Sequence, residues 1–254
     1  MTEGAGTLAT APLEVIGLLP GSSNGTFLAW LDHAPEGSPG NDAHEVGNGR
    51  GSGRDGRVRV VYKPIRGEAP LWDFPDGTLA AREMAAFVLA GALGWPAVPP
   101  TALREGPLGE GAVQVFVESD PERHFFTLRG ERDDDLRAVA AFDVIANNAD
   151  RKGGHVLLGD DDVLWCIDHG LCFNEHPKLR TVIWDYAGEE VPAGLLADVS
   201  RVAGELRAGP VRERLAALLS AAEVEATRRR AEDLCATGRY PEPGPGRAVP
   251  WPMI

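Results

Sequence analysis

The feature that most restricts the fold of this chain is the segment 139–173, where an apolar helix, a polar turn and a hairpin follow one another. Residues 156–158 and 163–167 are short apolar runs, and the glycine and aspartates between them predict a tight connection. The turn before this hairpin carries Asp150, and its second strand runs directly into Asp168. The pattern therefore places two carboxylates at one edge of a small hairpin.

Two carboxylates so arranged suit phosphoryl transfer, in which one orients the attacking hydroxyl and the other holds a divalent metal that bridges the phosphates. Kinase catalytic loops place a lysine two residues, and a metal-ligating asparagine five residues, after the orienting aspartate. Lys152 and His155 occupy these two offsets from Asp150. Either half alone is better explained as a solvated turn or a strand end, but both halves in this order favour the kinase interpretation.

The lysines are a second indication, because the chain has 22 arginines and only three lysines, Lys63, Lys152 and Lys178. Lys63 ends a predicted strand, where a kinase has the lysine that contacts nucleotide phosphates. A solvent-facing lysine is the alternative. Glu83 lies on a predicted helix and is the natural ion-pair partner of Lys63, although a helical glutamate is by default a surface residue.

Hydrophobic periodicity divides the chain into a strand-rich first half and a helix-rich second half. The predicted strands of the first half cover residues 13–19, 26–31, 57–63, 101–104 and 112–118. The predicted helices cover residues 78–93, 138–146, 192–203 and 211–235. We expect residues 1–11 to be frayed and residues 118–137 to be an acidic link between the halves.

These elements predict an α+β fold in two lobes, a small antiparallel-sheet N-lobe with one helix and a mostly helical C-lobe. We expect the N-lobe at 12–118, with a flexible, polar insertion at 33–56, and the C-lobe at 119–237. The last part, 238–254, contains many prolines and is expected to be an extended tail that straps onto the surface.

Charge and composition exclude several classes of function. The formal net charge is −13 and the isoelectric point about 4.9, which argues against nonspecific nucleic-acid binding and against docking on an anionic membrane. No apolar run approaches membrane-spanning length, and the N-terminus lacks a signal-peptide pattern. We therefore expect a cytoplasmic monomer without stable membrane association. The three cysteines form no metal-binding pair, and Cys166 fits a role in packing.

The order of motifs resembles the bacterial phosphatidylinositol 3-/4-kinase-related proteins, relatives of the HipA-like serine/threonine kinases. The resemblance extends roughly over residues 13–192. Its most specific parts are residues 61–64, 93–100, 148–151 and 167–173. It implies a protein-kinase-like fold that uses ATP with Mg²⁺ or Mn²⁺.

The resemblance also implies a role for each candidate residue. Lys63 would contact the α- and β-phosphates, with Glu83 holding it in place. Asp150 would be the catalytic aspartate, Lys152 would reach the γ-phosphate, and Asp168 would bind the metal. The remaining nucleotide contacts would come from the tip Ser22, Ser23 and Asn24 and from the inter-lobe hinge at 114–118, which includes Gln114, Phe116 and Val117.

Two departures from this family pattern matter. His155 replaces the expected asparagine, and as a metal ligand it would favour Mn²⁺ over Mg²⁺. The segment after Asp168 is short and has no evident activation loop for phosphorylation.

Several functions stay open at this stage. The acceptor is expected to be a protein or small-molecule hydroxyl rather than a membrane lipid, and the basic loop 174–180 is a candidate for contacting it, with a solvated loop as the alternative. A nucleotide-binding pseudokinase with little turnover and an enzyme that transfers AMP are the other possibilities.

Overall fold

The first half of the chain forms one antiparallel sheet of five strands, in the order β1-β2-β3-β5-β4. The computed structural model describes residues 3–21, 24–32 and 56–254. The five strands are β1 (Leu13–Leu18), β2 (Phe27–Leu31), β3 (Val58–Pro64), β4 (Thr101–Gly106) and β5 (Gly109–Val115). The predicted insertion, apart from Gly56, lies outside the described residues.

The second half contains a small antiparallel sheet and most of the helices. Its strands are β6 (Ser119–His124), β7 (Val156–Gly159) and β8 (Leu164–Cys166), in that order. The helices of the whole described chain are α1 (Glu3–Thr10), α2 (Leu79–Leu93), α3 (Phe125–Leu128), α4 (Asp133–Ala146), α5 (Ala193–Arg207), α6 (Pro210–Ala216) and α7 (Ala221–Thr237). The predicted fold class, a sheet-based first part and a helical second part, is confirmed, whereas the domain boundaries at 118 and 237 stay predictions.

Helix α2 connects the two halves because it packs against β4 and β5 on one side and against α5 and α6 on the other. Its alanine-rich sequence lets neighbouring elements approach closely, and Ala85, Ala86 and Leu89 are completely buried. The helix ends at Gly94, whose φ of 88° is the left-handed conformation typical of a helix C-terminus. Glu83 therefore projects from an element whose position is determined by both halves.

Three predicted segments differ from the structure. Residues 3–10 form α1 rather than a frayed end, and Leu8 packs with Tyr62 and Val113 in the core beneath the sheet. The expected acidic link contains β6 and α3, because β6 pairs with β7 and extends the predicted hairpin to three strands. The single helix predicted over 211–235 is two helices: Ser220 and Glu223 form a capping box that starts α7 afresh.

Of the three hydrophobic cores among the described residues, two are large: one lies beneath the five-stranded sheet and one lies in the second half. The larger one lies among α2, α4 and the C-terminal helices and includes Phe125, Phe142 and Phe173, each fully buried. Cys166 and Cys172 are also fully buried in it, and burial raises the pKa of Cys166 to about 12. This agrees with packing as the role of Cys166. The site lies in the cleft between the sheet and this larger core.

Candidate active site

Three charged residues from distant parts of the chain meet on the inner wall of a cleft. Lys63 Nζ, at the end of β3, forms an ion pair with Glu83 Oε1 on α2 and lies 2.9 Å from Asp168 Oδ1. The backbone N–H of His169 donates to the second oxygen of Glu83 at 3.0 Å. We call Lys63, Glu83 and Asp168 the cleft network. The ion pair expected between Lys63 and Glu83 is therefore present, and Glu83 is buried rather than on the surface.

The charges of the cleft network stabilise one another. Burial lowers the pKa of Lys63, but the charges of Asp168 and Glu83 outweigh burial and raise it above its ordinary value. The charge of Lys63 lowers the pKa of Asp168 well below the usual range of a carboxyl, although burial opposes this shift. The Asp168 side chain remains 50% exposed and the Lys63 side chain 23% exposed. An ionised carboxylate and an ammonium group thus face the open cleft together.

Asp150 lies on the turn after α4 and lines the same cleft as Lys63 and Asp168. Its carboxylate Oδ2 is 3.3 Å from Lys152 Nζ, and its backbone N–H donates to Asn148 Oδ1 at 3.0 Å, which holds the turn. Burial raises the pKa of Asp150, and the charge of Lys152 reverses only part of this shift. A half-buried carboxylate with a raised pKa is suited to accept a proton.

A second set of charges lies directly beneath this turn. The Arg151 guanidinium, 0% exposed, donates to both carboxylate oxygens of Asp143 on α4 at 3.0–3.1 Å and lies 2.9 Å from His169 Nε2. Its remaining N–H groups reach the carbonyl oxygens of His155 and Ile167 at 3.3 and 3.0 Å. We call Arg151, Asp143 and His169 the buried network. It joins α4, the Asp150 turn and the strand end before Asp168 into one rigid unit.

His155 stands between the turn and Asp168. Its Nε2 is 3.3 Å from Asp168 Oδ2, and its Nδ1 is 3.4 Å from the backbone N of Lys152. Burial lowers the pKa of His155 to about 4, and the charge of Asp168 reverses only part of that shift. The ring is therefore neutral at pH 7, the form in which imidazole can bind a metal.

The glycine-rich tip between β1 and β2 reaches the cleft at one of its three predicted residues. Asn24 lines the cleft, and its Oδ1 accepts a hydrogen bond from the Ala69 backbone N at 2.9 Å. Gly25 and Gly67 pack backbone against backbone, so that a Cβ on Gly67 would lie 3.0 Å from the Gly25 carbonyl oxygen. Ser22 and Ser23 lie outside the described residues.

The three predicted hinge residues are not among the residues that line this cleft. The Gln114 side chain is buried and donates to Thr101 Oγ1 at 2.8 Å, and the Phe116 N–H donates to the Arg59 carbonyl at 3.0 Å. Val117 follows β5 at the crossing between the two halves. Contact of Gln114, Phe116 and Val117 with adenine stays a prediction.

The C-terminal segment forms an outer wall of the cleft, which no local sequence pattern indicated. Arg247, Pro250, Trp251, Pro252 and Ile254 line the cleft together with Asp150 and Asp168. Among the residues that reasoning from sequence passed over, Asp143 carried a signal, because it is the single carboxylate in the apolar stretch 138–146 of α4 and must be paired when buried. No local sequence signal marked Arg247 and Trp251, because only the tertiary fold brings them to the cleft.

The family resemblance implies a divalent metal, and the donors present can hold one only with the help of ligands from the nucleotide. In the part of the chain that the structure describes, no three His, Cys, Asp or Glu side chains form a metal-binding group. Asp168 and neutral His155 offer two donors. Kinase metals are held by one or two protein groups together with substrate phosphates. The residues therefore fit a metal that arrives with the nucleotide.

Comparison with known sequences gives three findings. No protein-family model matches the chain. Protein Rv2133c of Mycobacterium tuberculosis is 38% identical in an alignment of 282 positions, gaps included, that covers 97% of this chain and 94% of that protein. Phosphatidylinositol 4-kinase gamma 4 of Arabidopsis thaliana is 30% identical in an alignment of 136 positions, gaps included, that covers 43% of this chain and 24% of that protein.

Among solved structures, the Golgi casein kinase crystallised with Mn/ADP bound is similar to this chain with a TM-score of 0.53. The sequences are 13% identical, and the match covers 91% of this chain and 74% of that one. At this identity the similarity concerns the fold, which is protein-kinase-like. No helix among the described residues is long and apolar enough to cross a membrane.

Proposed function

Because the chain belongs to the family of Protein Rv2133c from Mycobacterium tuberculosis and has a protein-kinase-like fold, we propose that it is an ATP- and divalent-metal-dependent phosphotransferase. The observation that carries this proposal is the meeting of Lys63, Glu83 and Asp168 in the cleft that Asp150 also lines. These four side chains come from four separate segments, and a shared ligand explains why they converge.

In this proposal Lys63 binds the α- and β-phosphates of ATP, and Glu83 orients it. Asp168 and His155 would hold Mg²⁺ or Mn²⁺, which would supply positive charge to neutralise the phosphates during transfer. The 50% exposure of the Asp168 side chain leaves its oxygens accessible from the cleft. Asn24 and the neighbouring serines are proposed to cover the phosphates, and Gln114, Phe116 and Val117 to contact the adenine.

The chemical step is assigned to the turn that carries Asp150. Asp150 orients the acceptor hydroxyl and accepts its proton, and its raised pKa brings it closer to the pKa useful for a base. Lys152 Nζ, 3.3 Å from Asp150, is in position to leave that carboxylate for the γ-phosphate when ATP is bound. The buried network beneath holds the turn, so the base does not reorganise during the reaction.

The acceptor is proposed to be a protein or small-molecule hydroxyl, because a net charge of −13 disfavours approach to an anionic membrane. Phosphatidylinositol 4-kinase gamma 4 is named for a lipid substrate, but this chain covers only 24% of that protein. The relation to HipA-like kinases also remains a proposal.

Incubation with ATP labelled at the γ- or the α-phosphorus, with Mg²⁺, with Mn²⁺ and with neither, tests the function. We expect metal-dependent transfer of the γ label to an added acceptor or to the protein itself. Transfer of the α label would instead identify an enzyme that moves AMP. Binding of ATP without transfer of either label would identify a pseudokinase, and absence of ATP binding would overturn the proposal.

A further inference from the structure

The C-terminal strap, residues 247–254, is docked by hydrogen bonds to its backbone carbonyls, one from the turn that carries Asp150, here called the catalytic turn, and two from Thr181 and Trp184. The Gly153 N–H donates to the Met253 carbonyl at 2.7 Å, and the Ala248 carbonyl accepts from the Thr181 N–H at 3.1 Å and from Trp184 Nε1 at 3.0 Å. Pro250 is buried. The strap is thus part of the site rather than a loose end beside it.

Arg180 lies opposite the catalytic turn. Its N–H donates to the Asn148 carbonyl at 2.9 Å, and its own carbonyl accepts from the Arg151 N–H at 3.0 Å. These two bonds enclose Ala149 and Asp150, so the Arg180 backbone is held beside the residue proposed as the base. Arg180 is half-buried and lines the cleft.

Arg247 is brought next to Arg180 by the strap. The hydrogen bond between Thr181 and Ala248 joins the residue after Arg180 to the residue after Arg247. Arg247 Nε donates to the carbonyl of Val249 at 3.1 Å, and Arg247 is otherwise exposed at the cleft. Two arginines from segments far apart in sequence therefore border the same part of the cleft.

The two arginines differ from the three lysines in how their charges are compensated. Lys63, Lys152 and Lys178 each have a carboxylate within 4.0 Å, the last being Asp73 at 3.0 Å. Within the described ranges, neither Arg180 nor Arg247 has one. Two like charges on the lining of one cleft repel one another, and in a protein of net charge −13 a carboxylate partner would be easy to supply. An anion that binds between them removes the repulsion.

We propose that Arg180 and Arg247 form an anion-binding subsite for the acceptor, and that the acceptor is a small hydroxyl compound carrying a phosphate or carboxylate. This inference rests on the proposed phosphotransferase function. With the anion between the arginines, the acceptor hydroxyl lies at Asp150. Its oxygen bonds to the γ-phosphorus, the bond from that phosphorus to the β–γ bridging oxygen breaks to release ADP, and the hydroxyl proton passes to Asp150.

The structure also narrows the earlier expectation for the basic loop 174–180. Lys178 is paired with Asp73 and lies 4.8 Å from the ring of Trp72, so its charge is already compensated. Arg180 is the member of that loop left for a ligand, and its second cation comes from the strap. Trp251, 76% exposed, adds an apolar surface at the same wall for the carbon skeleton.

The test measures binding of glycerol 3-phosphate, with glycerol as the uncharged matched probe, to the full chain loaded with ADP and Mn²⁺. We expect glycerol 3-phosphate to bind and glycerol not to bind. Arg180→Gln and Arg247→Gln should each weaken binding about tenfold, the usual effect of removing a hydrogen bond to a charged group. Arg247→Lys should retain part of the affinity for glycerol 3-phosphate. Arg214→Gln, at an exposed arginine of α6 away from the cleft, should leave that affinity unchanged.

Four outcomes decide the matter. Unchanged glycerol 3-phosphate binding in the double variant Arg180→Gln/Arg247→Gln, or no binding in the wild type, overturns the subsite, whereas retained ADP binding leaves the proposed phosphotransferase function standing. If the double variant loses affinity for ATP but not ADP, the arginines contact the γ-phosphate instead. If an acidic serine peptide depends on both arginines and glycerol 3-phosphate does not, the small-acceptor proposal is wrong. If ADP with Mn²⁺ does not bind, the proposed function and the subsite both fail.

Discussion

The cleft network and the buried network use similar charges in opposite ways. In the buried network the Arg151 guanidinium makes hydrogen bonds to carboxylate and carbonyl oxygens and to a ring nitrogen of the protein. The side chains of Arg151 and its partner Asp143 are at most 1% exposed. In the cleft network Asp168 is half-exposed. Charges that the protein satisfies completely serve the fold, whereas charges that it satisfies only partly remain available to a ligand.

The largest effect should come from breaking the buried network. Asp143→Ala leaves Arg151 charged and unpaired in the interior, and removal of one partner of a buried pair costs about 3–5 kcal/mol of unfolding free energy. Urea unfolding measures this. Glu131→Ala is the control, because its pair with Arg123 is exposed and should contribute no more than about 1 kcal/mol. Equal losses in the two variants would remove the distinction between the networks.

Asp150→Asn should act on turnover and leave the fold intact. Loss of a general base lowers the rate about 10²–10⁴-fold, while ADP affinity and the unfolding midpoint stay near wild type. Single-turnover transfer of the γ label measures the rate. Asp160→Asn, the same change at an exposed aspartate before β8, should have no effect. If ADP affinity falls together with turnover, Asp150 is a structural residue.

Lys63→Gln tests whether the cleft network binds the nucleotide. At a concentration of 100 times the dissociation constant, ADP with Mn²⁺ should stabilise the wild type by about 2.7 kcal/mol, and a tenfold weaker affinity removes about 1.4 kcal/mol of this. Thermal unfolding with and without ligand measures both values. Lys178→Gln is the matched control, because Lys178 pairs with Asp73 away from the cleft lining, and should retain the full ligand-induced shift.

His155→Asn should change metal preference by a smaller factor. If His155 binds the metal, the wild type prefers Mn²⁺, because imidazole binds softer divalent ions better than it binds Mg²⁺. The asparagine variant then shifts its preference toward Mg²⁺. Metal titration of labelled-ATP transfer in both proteins gives the ratio. An unchanged ratio would mean that His155 Nε2 keeps its 3.3 Å contact with Asp168 and serves only to orient that carboxylate.

The smallest expected effect is on the acid side of the pH profile. Asp150 must be ionised to accept a proton, so kcat/KM should fall as pH drops through its pKa. Because burial raises that pKa, the midpoint should lie above the ordinary value of 3.8. A profile measured down to the pH where the fold is still intact checks this, and a midpoint at or below 3.8 would contradict the assigned environment.

Several features of the site could be predicted because local sequence carried them. Asp150 and Asp168 lie next to elements whose hydrophobic periodicity is clear. Lys63 and Glu83 could be predicted for the same reason, because each lies on a strand or helix with clear periodicity. The single predicted helix over 211–235 was wrong because Ser220 and Glu223, which cap α7, lie within a run of helix-forming residues. Residues 3–10 were wrongly expected to fray, since the burial of Leu8 depends on a sheet that begins later in the chain.

The sequence by itself determined the fold class and the pair of carboxylates at the hairpin, because hydrophobic periodicity, turn residues and short spacings are local properties. The tertiary structure alone decided which charges would be compensated. Asp143 comes to lie under Arg151, and Lys178 comes to lie against Asp73. Arg180 and Arg247 come to line one cleft, and among the described residues neither has a carboxylate within 4.0 Å. Compensation of a charge depends on distance in space and on burial, and neither can be read from the positions of residues along the chain.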